Sequence, residues 1–320
     1  MPLFSYAVKT FLKNPSRALR VFRVTRELQK YTVWKLYETL EVTGTLARLQ
    51  EQPWWEFADK DFAKWVCEIL VSNGCAEWNG DMVEVLSPPK PCSVTTPDVA
   101  DMMPVINRAI ALVPEILEKG EKPPLSKYRA EYAKTLGNLA HRLAIEVCIE
   151  ETGLTELPQG AKVLNVPAEV GVATFALLEL TRAHVLAVDP MLENVEALKK
   201  ALKLTGGEER VIVLHAPPEK LTLPEKGDAV LMADAIPYLL NPRLTLMRVR
   251  ENLSKEGFLA IYQCLYSGTG LTAFLPHYVF GAYKPPPKGD ELRELLRQTG
   301  FRIVKWLEEQ GIAVVRAEHA

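Results

Sequence analysis

Strands and helices alternate along the C-terminal half of the chain, and this alternation constrains the fold more than any other feature. Five short apolar runs between residues 162 and 262 alternate with helical stretches such as 172–180 and 194–204, and a hairpin over 303–315 closes the chain. Apolar strands separated by helices of this length are typical of a mostly parallel sheet covered on both faces. We therefore predict an α/β fold with a Rossmann-like, seven-stranded sheet.

The N-terminal region shows a different pattern, in which helices precede a short hairpin. Apolar residues recur at helical spacing over 33–46 and 62–70, and the second helix is expected to end at Asn73 and Gly74. The turn at residues 79–81 separates two short apolar runs, which predicts a hairpin. Helices followed by a small hairpin are typical of a winged helix, so we predict a mainly helical, winged-helix-like domain.

Proline and small polar residues indicate where these regions are joined. Residues 87–104 contain five prolines and several Ser and Thr residues, which predicts a linker. Helical periodicity then resumes over 105–119 and 126–151. We predict an N-terminal domain over residues 1–103, bridging helices over 104–155 and the sheet domain over 156–320.

The overall charge argues against a protein devoted to nucleic-acid binding. The 320 residues include 38 Lys and Arg against 40 Asp and Glu, whereas such proteins usually carry a basic excess. A local stripe of basic residues nevertheless recurs at helical spacing near the N-terminus. This stripe is either a solvated helix face or a nucleic-acid surface, and it comprises Lys9, Lys13, Arg17, Arg20, Arg23 and Arg26.

Cysteine usage and the chain's first residues bear on its location. The five cysteines match no zinc or disulfide spacing, so we expect free thiols, no metal site and a reducing cytoplasm. The first residues lack the pattern of a secretory signal. Residues 257–283 carry no Asp, Glu, Lys or Arg, but glycines and a proline interrupt them. We predict a buried strand followed by a pocket-lining loop there, with no membrane span.

Polar residues at the strand ends are the first candidates for ligand binding, because doubly wound sheets bind ligands beyond the carboxyl ends of their strands. The first strand-to-helix turn spans residues 165–171. Asp189 follows Asn165 by 24 residues and ends the second predicted strand. This spacing favours a carboxylate that accepts hydrogen bonds from a ribose diol. A helix-start signal at Asp189–Pro190 is the alternative.

The order of these elements resembles the class I S-adenosylmethionine (SAM)-dependent methyltransferases, and within them the dimeric small-molecule O-methyltransferases. Residues 33–86 resemble the dimerisation domain, residues 105–124 resemble the bridging helices, and residues 291–301 resemble the penultimate helix with its strand entry. The resemblance implies SAM as cofactor, a small-molecule substrate and a homodimer.

The turn that would face the cofactor departs from the family pattern, in which an acid precedes a glycine-rich loop. Here Asn165 replaces the acid, Pro167 and Glu169 occupy glycine positions, and Gly171 is retained. Pro167 also removes an N–H donor. Glu169 is expected either to pair with the ammonium or sulfonium of SAM or to repel its carboxylate. The resemblance assigns Asn165, Pro167, Glu169, Gly171, Asp189 and Asp234 to the cofactor site.

Two further family residues are replaced. The run 215–219 has no acid in the register expected to reach the adenine amine, and the position of the histidine that acts as base after the fourth strand falls on Ala235. Asp234 and His277 are the candidate replacement bases. Asp234 is alternatively a loop or helix cap, and His277 is alternatively a structural histidine.

Two functions follow from these residues. The first is a SAM-dependent methyltransferase with an altered cofactor loop, which transfers a methyl group to the oxygen of a small molecule. The second is a methyltransferase-like protein without catalysis, acting as a dimer that binds another ligand or binds nucleic acid through its winged-helix region.

Overall fold

The chain folds into two compact units, seen in a computed structural model that describes residues 15–309 and 311–320. The sheet unit comprises residues 141–265 and 287–320. The helical unit comprises the described residues up to Ala140 together with residues 266–286.

Helices and strands are numbered in chain order. The first half contains α1 (Pro15–Val42), α2 (Thr45–Glu51), α3 (Lys60–Ser72), β1 (Ala76–Asn79), β2 (Met82–Val85), α4 (Pro97–Lys119), α5 (Arg129–Leu136) and α6 (Leu139–Glu151). The next part contains β3 (Lys162–Asn165), α7 (Val172–Leu180), β4 (His184–Asp189), α8 (Leu192–Thr205), β5 (Val211–His215), β6 (Gly227–Ala233), α9 (Pro242–Asn252) and β7 (Leu253–Cys264). The last part contains α10 (Gly268–Ala273), α11 (Leu275–Phe280), α12 (Gly289–Gln298), β8 (Phe301–Glu309) and β9 (Ile312–His319).

The sheet unit has the predicted α/β architecture. Its seven strands lie in the order β5-β4-β3-β6-β7-β9-β8. The pairs from β5 through β7 are parallel, whereas β9 is antiparallel to both β7 and β8. The central strands are almost wholly buried because their apolar side chains pack on both faces of the sheet, with Leu164, Val230 and Leu259 in one core cluster.

The helical unit contains the predicted helices and hairpin. Asp59 caps α3 by accepting a hydrogen bond from the backbone N–H of Phe62 at 3.0 Å. β1 and β2 pair antiparallel across a two-residue turn. The linker predicted over residues 87–104 is shorter in the structure, because α4 begins at Pro97. This helix continues without interruption to Lys119. The predicted boundary at residues 103 and 104 therefore falls inside a helix.

The segment that follows β7 differs from its prediction. Residues 266–286 form the short helices α10 and α11 rather than a loop, and they belong to the helical unit. The indole N–H of Trp65 donates to the Leu271 carbonyl at 3.1 Å, and Tyr278 stacks on Phe62 with ring centroids 4.8 Å apart. The aromatic side chains of α3 supply the packing surface for this segment, which explains why it leaves the sheet domain proposed for residues 156–320.

The segment before α4 is held against α1. The buried carboxylate of Glu27 accepts bonds from the backbone N–H of Thr95, from the backbone N–H of Thr96 at 3.2 Å and from the Thr96 hydroxyl at 2.6 Å. Burial raises the pKa of Glu27, but these hydrogen bonds outweigh burial and hold the pKa below its ordinary value.

Two further findings concern membranes and metals. None of the helices in residues 15–309 and 311–320 combines the length and apolar character of a membrane span. Within the same residues, no three His, Cys, Asp or Glu side chains form a group suited to a metal ion.

Candidate functional site

Polar residues end three neighbouring strands at the carboxyl edge of the sheet. Asn165 ends β3, Asp189 ends β4 and Asp234 follows β6, and these strands are adjacent in the sheet. All three side chains are buried. The strands that follow β3 in the chain lie on one side of it (β4 and β5) and then on the other (β6 and β7), so this edge has the geometry at which doubly wound sheets bind ligands.

The β3–α7 loop uses most of its backbone donors inside the protein. The N–H groups of Val166, Ala168 and Gly171 bond the carbonyls of other residues, and the Glu169 N–H bonds the Asp189 carboxylate at 2.6 Å. Pro167, which follows a cis peptide bond, has no N–H. The loop is therefore poorly equipped to bind an anionic group through its backbone.

Gly171 is required where the loop enters α7. Its φ is +92°, and a Cβ atom there would lie 2.6 Å from Cδ1 of Leu198. A side chain would therefore combine an unfavourable backbone conformation with a collision against α8.

Asp189 is engaged by the loops around it. One carboxylate oxygen accepts the Glu169 N–H, and the other accepts the Met191 N–H at 2.9 Å and the Asn194 amide at 3.0 Å. These bonds fix the carboxylate at the end of β4, where the sequence predicts it. Met191 is the N-cap residue of α8 and Asn194 lies in its first turn, so Asp189 also bonds the entrance to this helix, although no side chain caps it.

Asp234 has one satisfied and one unsatisfied carboxylate oxygen. Its Oδ1 accepts the Gln263 amide at 2.6 Å and the Cys264 N–H at 2.8 Å, whereas its buried Oδ2 has no hydrogen-bond partner. Burial raises the pKa of Asp234 to about 7, against the lowering effect of the Cys264 hydrogen bond. A carboxyl group with this pKa can exchange a proton near neutral pH.

Glu169 is the second carboxyl group with an unsatisfied oxygen. Its side chain is 7% exposed, and its Oε1 has no partner. Burial, followed by the negative charges of Asp189 and Asp234, raises the pKa of Glu169 well above its ordinary value. Glu169 and Asp234 are also the non-glycine residues with positive φ in the described parts of the chain, at +50° and +52°. Such conformations concentrate at functional sites.

Asn165 adds a third unsatisfied buried oxygen. Its amide N–H donates to the Thr174 hydroxyl at 2.9 Å, and its Oδ1 has no partner. The edge thus combines three acceptor oxygens that the protein leaves unpaired. Such a set suits a ligand that carries positive charge or hydrogen-bond donors.

The loop after β5 has no acid at the position predicted to reach an adenine. His215 bonds the Pro190 carbonyl at 3.0 Å through Nε2, and the Ala216 N–H bonds the Asp189 carbonyl at 3.0 Å. Pro217 and Pro218 follow directly. This loop is therefore bonded to the end of β4 through the His215 side chain and the Ala216 backbone.

His277 is not part of the sheet unit. It lies in α11, is buried and stacks on Phe274 with ring centroids 4.9 Å apart. The structure thus brings the predicted cofactor residues and Asp234 together in one unit, while His277 belongs to the helical unit.

Gln263 is a residue of this site that the sequence analysis did not identify as functional. Its amide N–H binds Asp234, and its Oε1 accepts the Ile236 N–H at 3.2 Å, so it connects both sides of the β6 loop. The available signal was a polar residue that follows a buried apolar run near the carboxyl end of a strand, and Asn165 shows the same pattern.

Several solved methyltransferases share the architecture of this chain. No protein-family model and no curated protein matches the sequence. The CurJ carbon methyltransferase is 16% identical and covers 98% of this chain and 99% of its own, with a TM-score of 0.65. The citrinin polyketide synthase CMeT domain is 13% identical and covers 98% and 95%, with a TM-score of 0.65. An O-methyltransferase family 2 protein from Planctomyces limnophilus DSM 3776 is 15% identical and covers 94% and 96%, with a TM-score of 0.59. The chain therefore shares the fold of these three solved methyltransferases.

Proposed function

We propose that the chain is a SAM-dependent methyltransferase that transfers a methyl group to the oxygen of a small molecule. One observation carries this proposal: Asn165, Glu169, Asp189 and Asp234 converge at the carboxyl edge of a sheet with the methyltransferase strand order. Three of these side chains hold buried oxygens without partners.

The residues fit the positively charged end of SAM. Its ammonium and sulfonium would face the unpaired oxygens of Asn165 and Glu169, and its ribose hydroxyls would share or replace the internal bonds of Asp189. The loop backbone is less suited to the carboxylate of SAM, because most of its N–H groups are already bonded within the protein.

We expect SAM to bind more weakly than in relatives with an intact glycine-rich loop. Pro167 supplies no N–H, and Ala216 and Pro217 stand where an acid would bond the adenine. A lost hydrogen bond costs about 0.5–1.5 kcal/mol to a neutral group and about 1.5–3 kcal/mol to a charged one, so one loss of each kind costs about 2–4.5 kcal/mol in total. Two such losses raise the dissociation constant by roughly one to three orders of magnitude.

Asp234 is the proposed base. SAM supplies a methyl carbon activated by its sulfonium, and the acceptor hydroxyl must lose a proton as its oxygen attacks that carbon. The bonds from Gln263 and Cys264 occupy Oδ1 of Asp234 and leave Oδ2 to receive the proton. His277 is the alternative base, although its stacking on Phe274 also suits a structural role.

A methyl-transfer assay tests this proposal. The chain would be incubated with methyl-labelled SAM and a panel of small hydroxylated molecules, with products analysed by mass spectrometry and NMR. We expect O-methyl products and a decrease of about 10²-fold or more in Asp234→Asn, the range for loss of a general base. His277→Ala is the comparison and is expected to keep most activity. C-methyl products would contradict the proposed acceptor, and absent transfer despite SAM binding would favour a non-catalytic protein.

We also propose that the chain forms a homodimer through its helical, winged-helix-like region and that it is cytoplasmic. The region is rich in apolar residues and includes four tryptophans that are candidates for a dimer surface. Trp65 is buried inside the unit, Trp34 and Trp54 are half-buried, and Trp55 is exposed. The core of the unit thus accounts for part of these apolar side chains, and the exposed ones remain for the proposed dimer surface. Light scattering at micromolar concentration should give twice the 35.8 kDa chain mass, and a monomer would refute the dimer.

A cleft in the helical unit favours nucleic-acid binding as a second candidate function. The cleft has a volume of about 920 Å³, and its lining includes the exposed side chains of Arg23, Arg26, Lys30 and Lys90. Glu27 also lines it, but its carboxylate is bonded to the segment before α4. Of the predicted stripe, Lys9 and Lys13 lie outside the described residues.

Fluorescence anisotropy with a labelled DNA duplex tests this second candidate. Replacing the four cleft cations by Gln should weaken binding more than tenfold and reduce its salt dependence, because each phosphate contact contributes about 0.9 to the salt slope. A matched variant replaces exposed basic residues of α8, namely Lys199, Lys200 and Lys203. Equal losses in the two variants would show that the cleft has no specific role.

A further inference from the structure

Glu169 is a buried carboxyl group that has no cationic partner among the described residues. Its Oε1 is buried without a hydrogen-bond partner, and no Lys, Arg or His of the described residues forms an ion pair with it. Its backbone is fixed, because its N–H donates to Asp189 at 2.6 Å. The side chain therefore occupies a defined place in the β3–α7 loop with unused acceptor capacity.

The charged groups around Glu169 are acidic. Asp189 faces it from the end of β4, and Asp234 faces it from the end of β6. Asn165, at the end of β3, is neutral and leaves its own Oδ1 unpaired. Burial disfavours the ionised form of Glu169, and the negative charges of Asp189 and Asp234 add to this cost, so the pKa of Glu169 is raised well above its ordinary value.

We propose that Glu169 is the charge-selective group of the cofactor site: it ionises when a cationic ligand enters, releases its proton to solvent and pairs with the ligand's positive charge. The inference rests on the proposed function, because SAM supplies that cation. Of the two expectations for Glu169, this inference favours pairing with the positive charge of SAM. A carboxyl group among acidic groups is stabilised in its ionised form by a cation, and it does not bind a carboxylate.

Three ligands distinguish whether Glu169 pairs with the sulfonium or with the ammonium of SAM. SAM carries a sulfonium and an ammonium, S-adenosylhomocysteine carries the ammonium alone, and methylthioadenosine carries neither. Titration calorimetry in buffers of different ionisation enthalpy measures the protons released with each ligand. We expect release with SAM but not with methylthioadenosine, and release with S-adenosylhomocysteine would assign the pairing to the ammonium.

Glu169→Gln is the variant that tests the role of the carboxylate. We expect Glu169→Gln to abolish the part of the proton release that comes from Glu169. The variant should also weaken SAM binding by about 10- to 100-fold, as for loss of a charge-assisted bond. Methylthioadenosine binding should stay within about threefold, because it involves no such bond. Glu208→Gln, an exposed glutamate of the same unit, is the control and should change neither quantity.

The outcomes distinguish this inference from the proposed function. Binding of SAM without proton release, or tighter binding in Glu169→Gln, would overturn the inference and leave the methyltransferase proposal standing. Failure of all three ligands to bind would overturn the proposed function and the inference with it. If Glu169→Gln does not fold, carboxyl-carbon NMR of the unmodified chain serves instead: Glu169 should be protonated at neutral pH and ionised after SAM is added.

Discussion

Gly171→Ala tests whether the loop into α7 has the geometry described above. At φ +92°, alanine adopts a left-handed conformation, which costs about 1–2 kcal/mol. Its Cβ would also lie 2.6 Å from Cδ1 of Leu198, a buried side chain of α8. Overpacking of this kind costs about 1–3 kcal/mol, so we expect a total loss of about 2–5 kcal/mol in the stability of the sheet unit.

Gly206→Ala is the matched control. Gly206 has φ +72°, ends α8 in the same unit and has no atom within 4 Å of its hypothetical Cβ. Its replacement should cost only the conformational share, about 1–2 kcal/mol. Hydrogen exchange of peptides covering β3 and β4 under increasing urea reports the opening free energy of this unit.

The difference between the two variants isolates the contact with Leu198. Combining Gly171→Ala with Leu198→Ala should recover part of the loss beyond additivity, because the smaller side chain removes the collision. Equal effects of Gly171→Ala and Gly206→Ala, with no coupling to Leu198, would refute the close approach of the loop to α8.

Three further predictions concern other parts of the chain. Because folding raises the pKa of Asp234 from 3.8 to about 7, its contribution to stability is full below pH 3.8 and is lost as pH rises through 7. The free energy of unfolding, measured with urea between about pH 3 and 8, should therefore fall by roughly 3–5 kcal/mol less in Asp234→Asn than in the unmodified chain. An unchanged pH dependence in this variant would contradict the prediction. Glu27→Ala should free the segment before α4, because Thr96 loses its carboxylate partner, and limited proteolysis should then cut residues 87–95 faster than in the unmodified chain. Trp65→Phe should destabilise the helical unit by about 1–3 kcal/mol in thermal unfolding, since the buried Leu271 carbonyl loses its donor; a neutral effect would argue against this contact.

The sequence predicts most of the sheet unit because its strands and helices are encoded by local patterns. The helix predicted over residues 172–180 coincides with α7, and β4 ends at Asp189, where the second predicted strand ends. A buried parallel strand is a continuous apolar run, and its last polar residue marks the carboxyl edge. Asn165 and Asp189 are therefore assigned to this edge by the sequence alone.

Long-range contacts explain what the sequence does not reveal. Residues 266–286 have no charge pattern that distinguishes a loop from short helices, and their place is decided by distant partners such as Phe62 and Trp65. Gln263 likewise gains its role only from Asp234, which follows the neighbouring strand. The unpaired oxygens of Asn165 and Glu169 depend on burial and on the neighbours available, which periodicity does not report.

Direct titration of SAM into the full chain is the measurement that tests the cofactor site most directly. We expect saturable binding, weaker than in relatives with an intact loop by roughly one to three orders of magnitude. Asp189→Ala, checked for folding by circular dichroism, should weaken this binding further, because the β4 carboxylate is the proposed anchor for the ribose. Sub-micromolar binding that is unaffected by Asp189→Ala would contradict the proposed position of the cofactor, and the absence of binding at millimolar SAM would contradict the proposed function.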